Sequence, residues 1–288
     1  MRTKNTWALL LFLNLSWAPT IWGGTIYSTL PSPALPDEFS LGFQDSAINE
    51  FGDVIHVSAP SSTNLQSATV ALSNWAFESN FEPIGRSAGY LLPITLNLYD
   101  LGPTDSLGPR FYSITTTAFI PWRPEPDPRH CGTGSTDYLA SDGACYPGAL
   151  LTATFQLNGV SAPNTFIYGI TFNTESYGYD PTGVPGPYDA LHLAMSGDPP
   201  AVGSNPFPDI VFWNTSIAAN YHDGGIGGVD IFRPDAGWAP FSPAIAFSDT
   251  PEPSTGSLIA WLVFGYCAIR IRPALKGRVR DLRRKRVS

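Results

Sequence analysis

Apolar residues recur at every second position along much of the chain. Leu91–Tyr99 shows this most cleanly, with Leu92, Ile94, Leu96 and Leu98 on one side and Thr95, Asn97 and Tyr99 on the other. Leu150–Leu157 sets Leu151, Ala153, Phe155 and Leu157 against Thr152, Thr154 and Gln156. Phe166–Phe172 repeats the alternation with Phe166, Tyr168, Ile170 and Phe172. A period of two is that of a strand with one buried face. Further windows with strand character are Phe51–Ser58, Thr69–Trp75, the Thr-rich Phe111–Ile120, Ala190–Met195, Ile210–Trp213 and Ala244–Phe247. Gly, Pro, Asp and Asn punctuate the gaps between them, as turns require. No window between Gly24 and Asp249 has a helical period. Antiparallel strands in two stacked sheets bury such faces without helices. The pattern therefore predicts an all-β, antiparallel β-sandwich of about nine strands, jelly-roll-like or immunoglobulin-like. No internal repeat points to a propeller.

The segment from Gly24 to Glu38 is rich in Pro and Ser and reads as extended, and Phe39–Phe43 as loosely paired with a sheet. Three long loops interrupt the strands: Pro121–Gly148, Glu175–Asp189 and Asn214–Trp238. Loops of this length in a compact domain are usually either functional or floppy. Glu175–Asp189 holds Tyr177, Tyr179 and Tyr188 and is the expected contact surface.

The two ends follow other rules. Arg2 and Lys4 precede an apolar segment from Trp7 to Leu15, the layout of a signal peptide. Gly23, with Ile21 two positions earlier, fits a cut before Gly24, so residues 1–23 form the expected signal, with an uncleaved N-terminal anchor as the alternative. At the other end stand Pro251-Glu252-Pro253 and then 16 uncharged residues, Ser254–Ile269. Arg270, Arg272, Lys276, Arg278, Arg280, Arg283, Arg284, Lys285 and Arg286 follow, against the single acid Asp281. A spanning helix needs ~17–25 mostly apolar residues. Arg270 and Arg272 lengthen the run by snorkelling, giving a transmembrane helix over 254–272. The basic tail, 273–288, is then held on the cytoplasmic side.

This tail resembles the PEP-CTERM sorting signal of Gram-negative and related bacteria: a Pro-Glu-Pro tripeptide, a single span and an Arg-rich end. The same tripeptide at Pro124-Glu125-Pro126 has no apolar run behind it. The resemblance implies export and transient tethering in the inner membrane. It further implies processing near Pro251–Pro253 by an exosortase-type membrane protease, with the product at the cell surface or in the extracellular matrix.

Removing both ends changes the charge. Of 16 basic and 24 acidic residues, two bases fall in the signal and nine in the tail, and the acids Glu252 and Asp281 leave with the tail. Residues 24–250 keep five arginines and 22 acids, a net charge near −17 with no lysine. Nucleic acid and anionic lipid are poor partners for such a surface. Cys131 and Cys145 lie in this exported part and predict a disulfide, since the compartment is oxidising. No histidine or further cysteine stands at zinc-ligand spacing. Cys267 belongs to the membrane run and stays unpaired.

The chemistry is sparse. No Gly-x-Ser-x-Gly or His-Glu-x-x-His string occurs, and both would carry a specific mechanism. His56, His130, His192 and His222 are scattered, and His192 falls in a strand pattern that gives it a structural role. Asp53, Asp223 and Asp230 are the candidates for calcium, which takes several oxygen ligands. No Asp-x-Asp-x-Asp-Gly string accompanies them, and solvated loop acids explain them as well. No cofactor motif is present.

Glycoside hydrolysis needs two carboxylates facing across a cleft. Glu78, Glu82 and Glu175 lie near strand ends and are the candidates for that reading. The acids otherwise concentrate in loops, while strand faces carry Thr, Asn, Gln and Tyr. Asn97, Tyr99, Gln156, Tyr177, Tyr179 and Tyr188 supply rings and amides suited to sugars. The expectation is a non-catalytic structural or glycan-binding sandwich whose partner is an extracellular polysaccharide. A secreted polysaccharide-acting hydrolase is the alternative.

Overall fold

Each of the nine windows overlaps a strand of the computed structural model, which describes residues 24–58, 63–81 and 88–249. In chain order the strands are β1 Thr25–Ser28, β2 Ser40–Gly42, β3 Ile48–His56, β4 Thr63–Asn74 and β5 Gly89–Leu101. Next come β6 Leu107–Pro121, β7 Tyr138–Leu139, β8 Cys145–Tyr146, β9 Ala149–Ala162 and β10 Thr165–Phe172. The last five are β11 Leu191–Ser196, β12 Ile210–Thr215, β13 Arg233–Ala236, β14 Ser242–Pro243 and β15 Ile245–Asp249. Helical structure among the described residues is limited to short 3-10 turns, such as Glu78–Asn80 and Pro187–Ala190.

All strand pairings are antiparallel. The first sheet runs β1-β15-β4-β11-β14, with β9 also on β4 and β2 on β11. The second runs β13-β12-β3-β10-β5-β6, and β7-β8 forms a separate hairpin. β2 realises the loose pairing expected of Phe39–Phe43: His192 stands opposite Gly42, and Ala194 opposite Ser40.

One apolar core is shared by the two sheets. Val70, Leu72, Phe155, Leu193 and Phe247 come from the first, and Phe51, Ile55, Ile94, Leu96 and Phe166 from the second. Phe166 and Phe247 meet edge to face at 5.4 Å. Burying each such side chain is worth ~1.5–3 kcal/mol, which explains why the alternation in β5 and β9 is strict. No helix among the described residues is long and apolar enough to cross a membrane. The expected span 254–272, the signal, Pro251–Pro253 and the basic residues of the tail lie outside the described residues.

β3 departs from the one-sided pattern. Glu50 and Asp53 are both fully buried, on successive faces of a strand that is covered on both sides. Asp53 was expected among the loop acids, and the structure places it within β3 opposite Tyr168 of β10. The outer face of the second sheet carries its own small cluster, Val54, Tyr99, Ile167, Phe212 and Phe232. A strand buried on both faces loses the clean period of two.

The loop between β6 and β9 contains the disulfide. Cys131 and Cys145 are bonded, with their Cα atoms 5.6 Å apart. Inside that loop the Arg123 guanidinium donates to the carbonyls of Trp75 at 2.8 Å, Pro124 at 2.9 Å and Thr136 at 2.6 Å. It also lies 4.5 Å over the Phe77 ring. One buried arginine thus ties the disulfide loop to the end of β4.

Candidate functional site

Trp75 follows β4 directly, at the point where the strand leaves the sheet. Its indole N–H donates to Ser73 Oγ at 3.1 Å, and Ser73 in turn donates to Asp37 Oδ1 at 2.6 Å. Its backbone N–H donates to Ala190 at 2.9 Å, while its carbonyl is held by Arg123. Gly148 leaves the room for this arrangement, because a Cβ there would stand 2.1 Å from Ser73 Oγ and 2.6 Å from the indole. The ring is therefore fixed before any ligand arrives, and the residue stays 37% exposed.

Trp75 lines an open cleft of about 340 Å³ together with Gln44, Asp45, Phe81, Asp189 and His192. The His192 ring stacks on the indole, centroids 4.5 Å apart. Its Nδ1 pairs with Ser40 Oγ at 3.1 Å. Its Nε2 and Asp45 Oδ2 both lie over Gly42, where a Cβ would meet them at 2.9 and 3.2 Å. Burial pulls the His192 pKa down to about 4, against the opposing influence of Asp45, so the ring is neutral at pH 7. His192 is buried as its strand position implied, and it also forms part of the cleft.

The far wall belongs to the aromatic loop. Asp189 Oδ1 accepts from Glu175 N at 2.7 Å and Oδ2 from Gly186 N at 3.0 Å, closing the loop on itself. Gln44 Oε1 accepts from Thr174 Oγ1 at 2.7 Å and Ser176 N at 3.2 Å. The loop expected as a contact surface thus supplies Pro185, Gly186 and Asp189 to the cleft rather than its tyrosines.

Three of the six residues expected to contact sugar converge elsewhere. Asn97 Nδ2 donates to Glu50 Oε1 at 2.7 Å, and the Tyr99 hydroxyl donates to both Glu50 oxygens at 3.0 and 3.1 Å. The Tyr179 hydroxyl donates to Oε2 from the loop above. Asn97 is fully buried and Tyr99 nearly so. These two are therefore corrected: they serve a buried acid beneath the surface, because the outer face of β5 is roofed. Burial raises the Glu50 pKa, opposed by hydrogen bonds from Tyr179, Asn97 and Tyr99. Gln156 is exposed on β9 in the other sheet. Tyr177 is half-buried, and Tyr188 donates to the Val184 carbonyl within its own loop.

The calcium candidates are dispersed. Asp53 accepts from Val54 N at 2.7 Å and Asn205 Nδ2 at 2.8 Å. Asp223 grips Arg233 at 2.8 and 2.9 Å, which pulls its pKa down to about 2. Asp230 accepts from Asn49 at 2.6 Å. Among the described residues no group of three His, Cys, Asp or Glu side chains stands at metal-holding geometry. Of the acids considered for hydrolysis, Glu78 is exposed in its 3-10 turn and Glu175 is half-buried in the aromatic loop. Glu82 lies outside the described residues.

Comparison of the chain with protein-family models, with curated proteins and with solved structures returns no match. The reading of function therefore rests on the residues and their geometry.

Proposed function

We propose that this chain is an exported cell-envelope or matrix protein whose β-sandwich, of jelly-roll or immunoglobulin-like kind, binds a glycan against Trp75. The observation that carries the proposal is the indole itself. It is exposed, held by hydrogen bonds at its ring N–H, amide and carbonyl, and set in a cleft lined by Gln44, Asp45 and Asp189. Apolar sugar faces stack on such rings, and a few fixed polar groups orient the hydroxyls. A pre-ordered ring loses little entropy on binding.

The site is non-catalytic in this reading. A hydrolase needs two carboxylates opposite each other. Asp189 has both oxygens engaged by backbone N–H groups, which leaves Asp45 as the acid available to a ligand. Delivery to the envelope is assigned to the tail. Pro251-Glu252-Pro253, the run to Ile269 and the basic cluster fit a PEP-CTERM signal. In that reading an exosortase-type protease and the inner membrane are transient partners, and an extracellular polysaccharide is the lasting one.

Affinity electrophoresis of the full-length protein, in detergent, through gels containing different polysaccharides tests the site. Retardation by at least one polysaccharide is expected, with loss of retardation in Trp75→Ala and no release of reducing sugar. Retardation unchanged in Trp75→Ala would sink the proposal. Sugar release would replace it with the hydrolase alternative.

A further inference from the structure

We infer that the glycan bound in the Trp75 cleft carries free amino groups, as in a de-N-acetylated amino-sugar polymer, and that Asp45 holds one of its ammonium groups. The inference rests on the glycan reading above and names the class of sugar. It starts from the charges that a ligand meets. Among the described residues lining the cleft, the charged side chains are Asp45 and Asp189, both acids. His192 adds no positive charge at neutral pH, because the buried ring is neutral there. Asp189 is occupied by the amides of Glu175 and Gly186. Asp45 is exposed, and its carboxylate has no hydrogen-bond partner among the described residues.

The rings point the same way. An ammonium is attracted to the face of Trp more than to other aromatics, and Trp75 and Phe81 both line the cleft. An amino sugar offers two things at once: C–H groups to stack on the indole and an ammonium to reach Asp45. The rest of the exported part strengthens the selection. At a net charge near −17 with no lysine, it repels polyuronates and sulfated glycans over a Debye length of ~8 Å at physiological salt. A neutral N-acetylated sugar would stack equally well and would leave Asp45 unpaired.

Calorimetric titration of the full-length protein in detergent tests this with three probes: a glucosamine oligomer, the matching N-acetylglucosamine oligomer and an oligo-uronate. The glucosamine oligomer should bind about tenfold more tightly than its N-acetylated form, as one hydrogen bond to a charged group implies. The oligo-uronate should bind most weakly. Raising the salt should narrow the gap. Asp45→Asn should abolish the preference for the glucosamine oligomer, and its thermal melt should match the parent because Asp45 is exposed. Trp75→Ala should abolish binding of both amino-sugar oligomers. Equal binding of the two, or a preference that survives in Asp45→Asn, overturns the inference and leaves the glycan reading standing if Trp75→Ala still loses both. Binding that persists in Trp75→Ala overturns the glycan reading instead.

Discussion

The Glu50 side chain fills the space that a side chain at Gly169 would need. A Cβ built at Gly169 stands 2.1 Å from Glu50 Oε1 and 2.7 Å from its Cδ. Glu50 starts on β3, crosses β10 at this glycine and reaches Asn97 and Tyr99 on β5. Glycine inside a strand commonly marks such a close approach.

Gly169→Ala should therefore destabilise the protein by ~1–3 kcal/mol, the usual range for overpacking. The effect should shrink in a Glu50→Ala background, where the colliding carboxyl is absent. Urea midpoints of the four proteins in the cycle measure the coupling. Additive effects would mean that the collision is not with Glu50.

Glu50 also sets a pH dependence. Its folded pKa is raised, first by burial, above the ordinary Glu value of ~4.3. The folded state then holds a proton that the unfolded state has released. Stability from this group is full below the unfolded pKa and is lost as pH rises through the folded one. Glu50→Gln should gain stability relative to the parent as pH rises from the ordinary Glu range, and Asp53→Asn should do the same for an acid that burial raises further. His192 works in the opposite sense: its folded pKa of about 4 costs stability as pH falls from the ordinary His range towards 4. Urea midpoints for parent and variants across pH 4 to pH 9 give the curves. A pH-independent difference between Glu50→Gln and the parent would show that Glu50 does not titrate differently on folding.

The disulfide closes a short loop, with a sequence separation of 14, worth ~3 kcal/mol in the chain-entropy model. Cys131→Ser/Cys145→Ser should lower stability by about that much. Thr136 lies inside the loop and gives its carbonyl to Arg123, which also holds Trp75. Amide exchange at Trp75 and Ala76 should therefore quicken in the double variant. Unchanged exchange there would confine the bond's effect to its own loop.

How much of this was legible follows from which residues face one environment. Leu92, Ile94, Leu96 and Leu98 see only the core, so β5 could be read from its alternation. The Cys131–Cys145 bond could be read because the pair has no rival cysteine between residues 24 and 250. Glu50 could not: an acid in a strand reads as solvent-facing unless the roof above it is known, and that roof includes Tyr179, 129 positions away. The cleft was also hidden. Trp75 looked like the last apolar residue of a strand, and its partners His192 and Asp45 come from distant segments. The one available signal was the Pro- and Gly-rich end of the aromatic loop, which does line the cleft. β7, β8 and β14 have two residues each, too few to show any period.

The tail yields the remaining prediction. The strands form their sheets within the unit Gly23–Thr250, and β15 ends at Asp249, paired with β4 and two positions before Pro251 in the sequence. Two prolines two positions apart disfavour both helix and strand, as the sequence of a protease-processed segment should, because a protease cleft holds its substrate extended. If the segment is a sorting signal, protein isolated from the host envelope should end near Pro251–Pro253 and lack Arg270–Ser288. Intact-mass measurement decides this. A chain truncated after residue 250 should be exported, stay soluble, melt in one transition and keep its Trp75-dependent retardation by glycan. It should also fail to remain with the envelope before processing. A mature protein that still carries the nine basic residues of the tail would make the span a permanent anchor. The cleft would then work at the outer surface of the inner membrane, and the sorting proposal would be wrong for this chain.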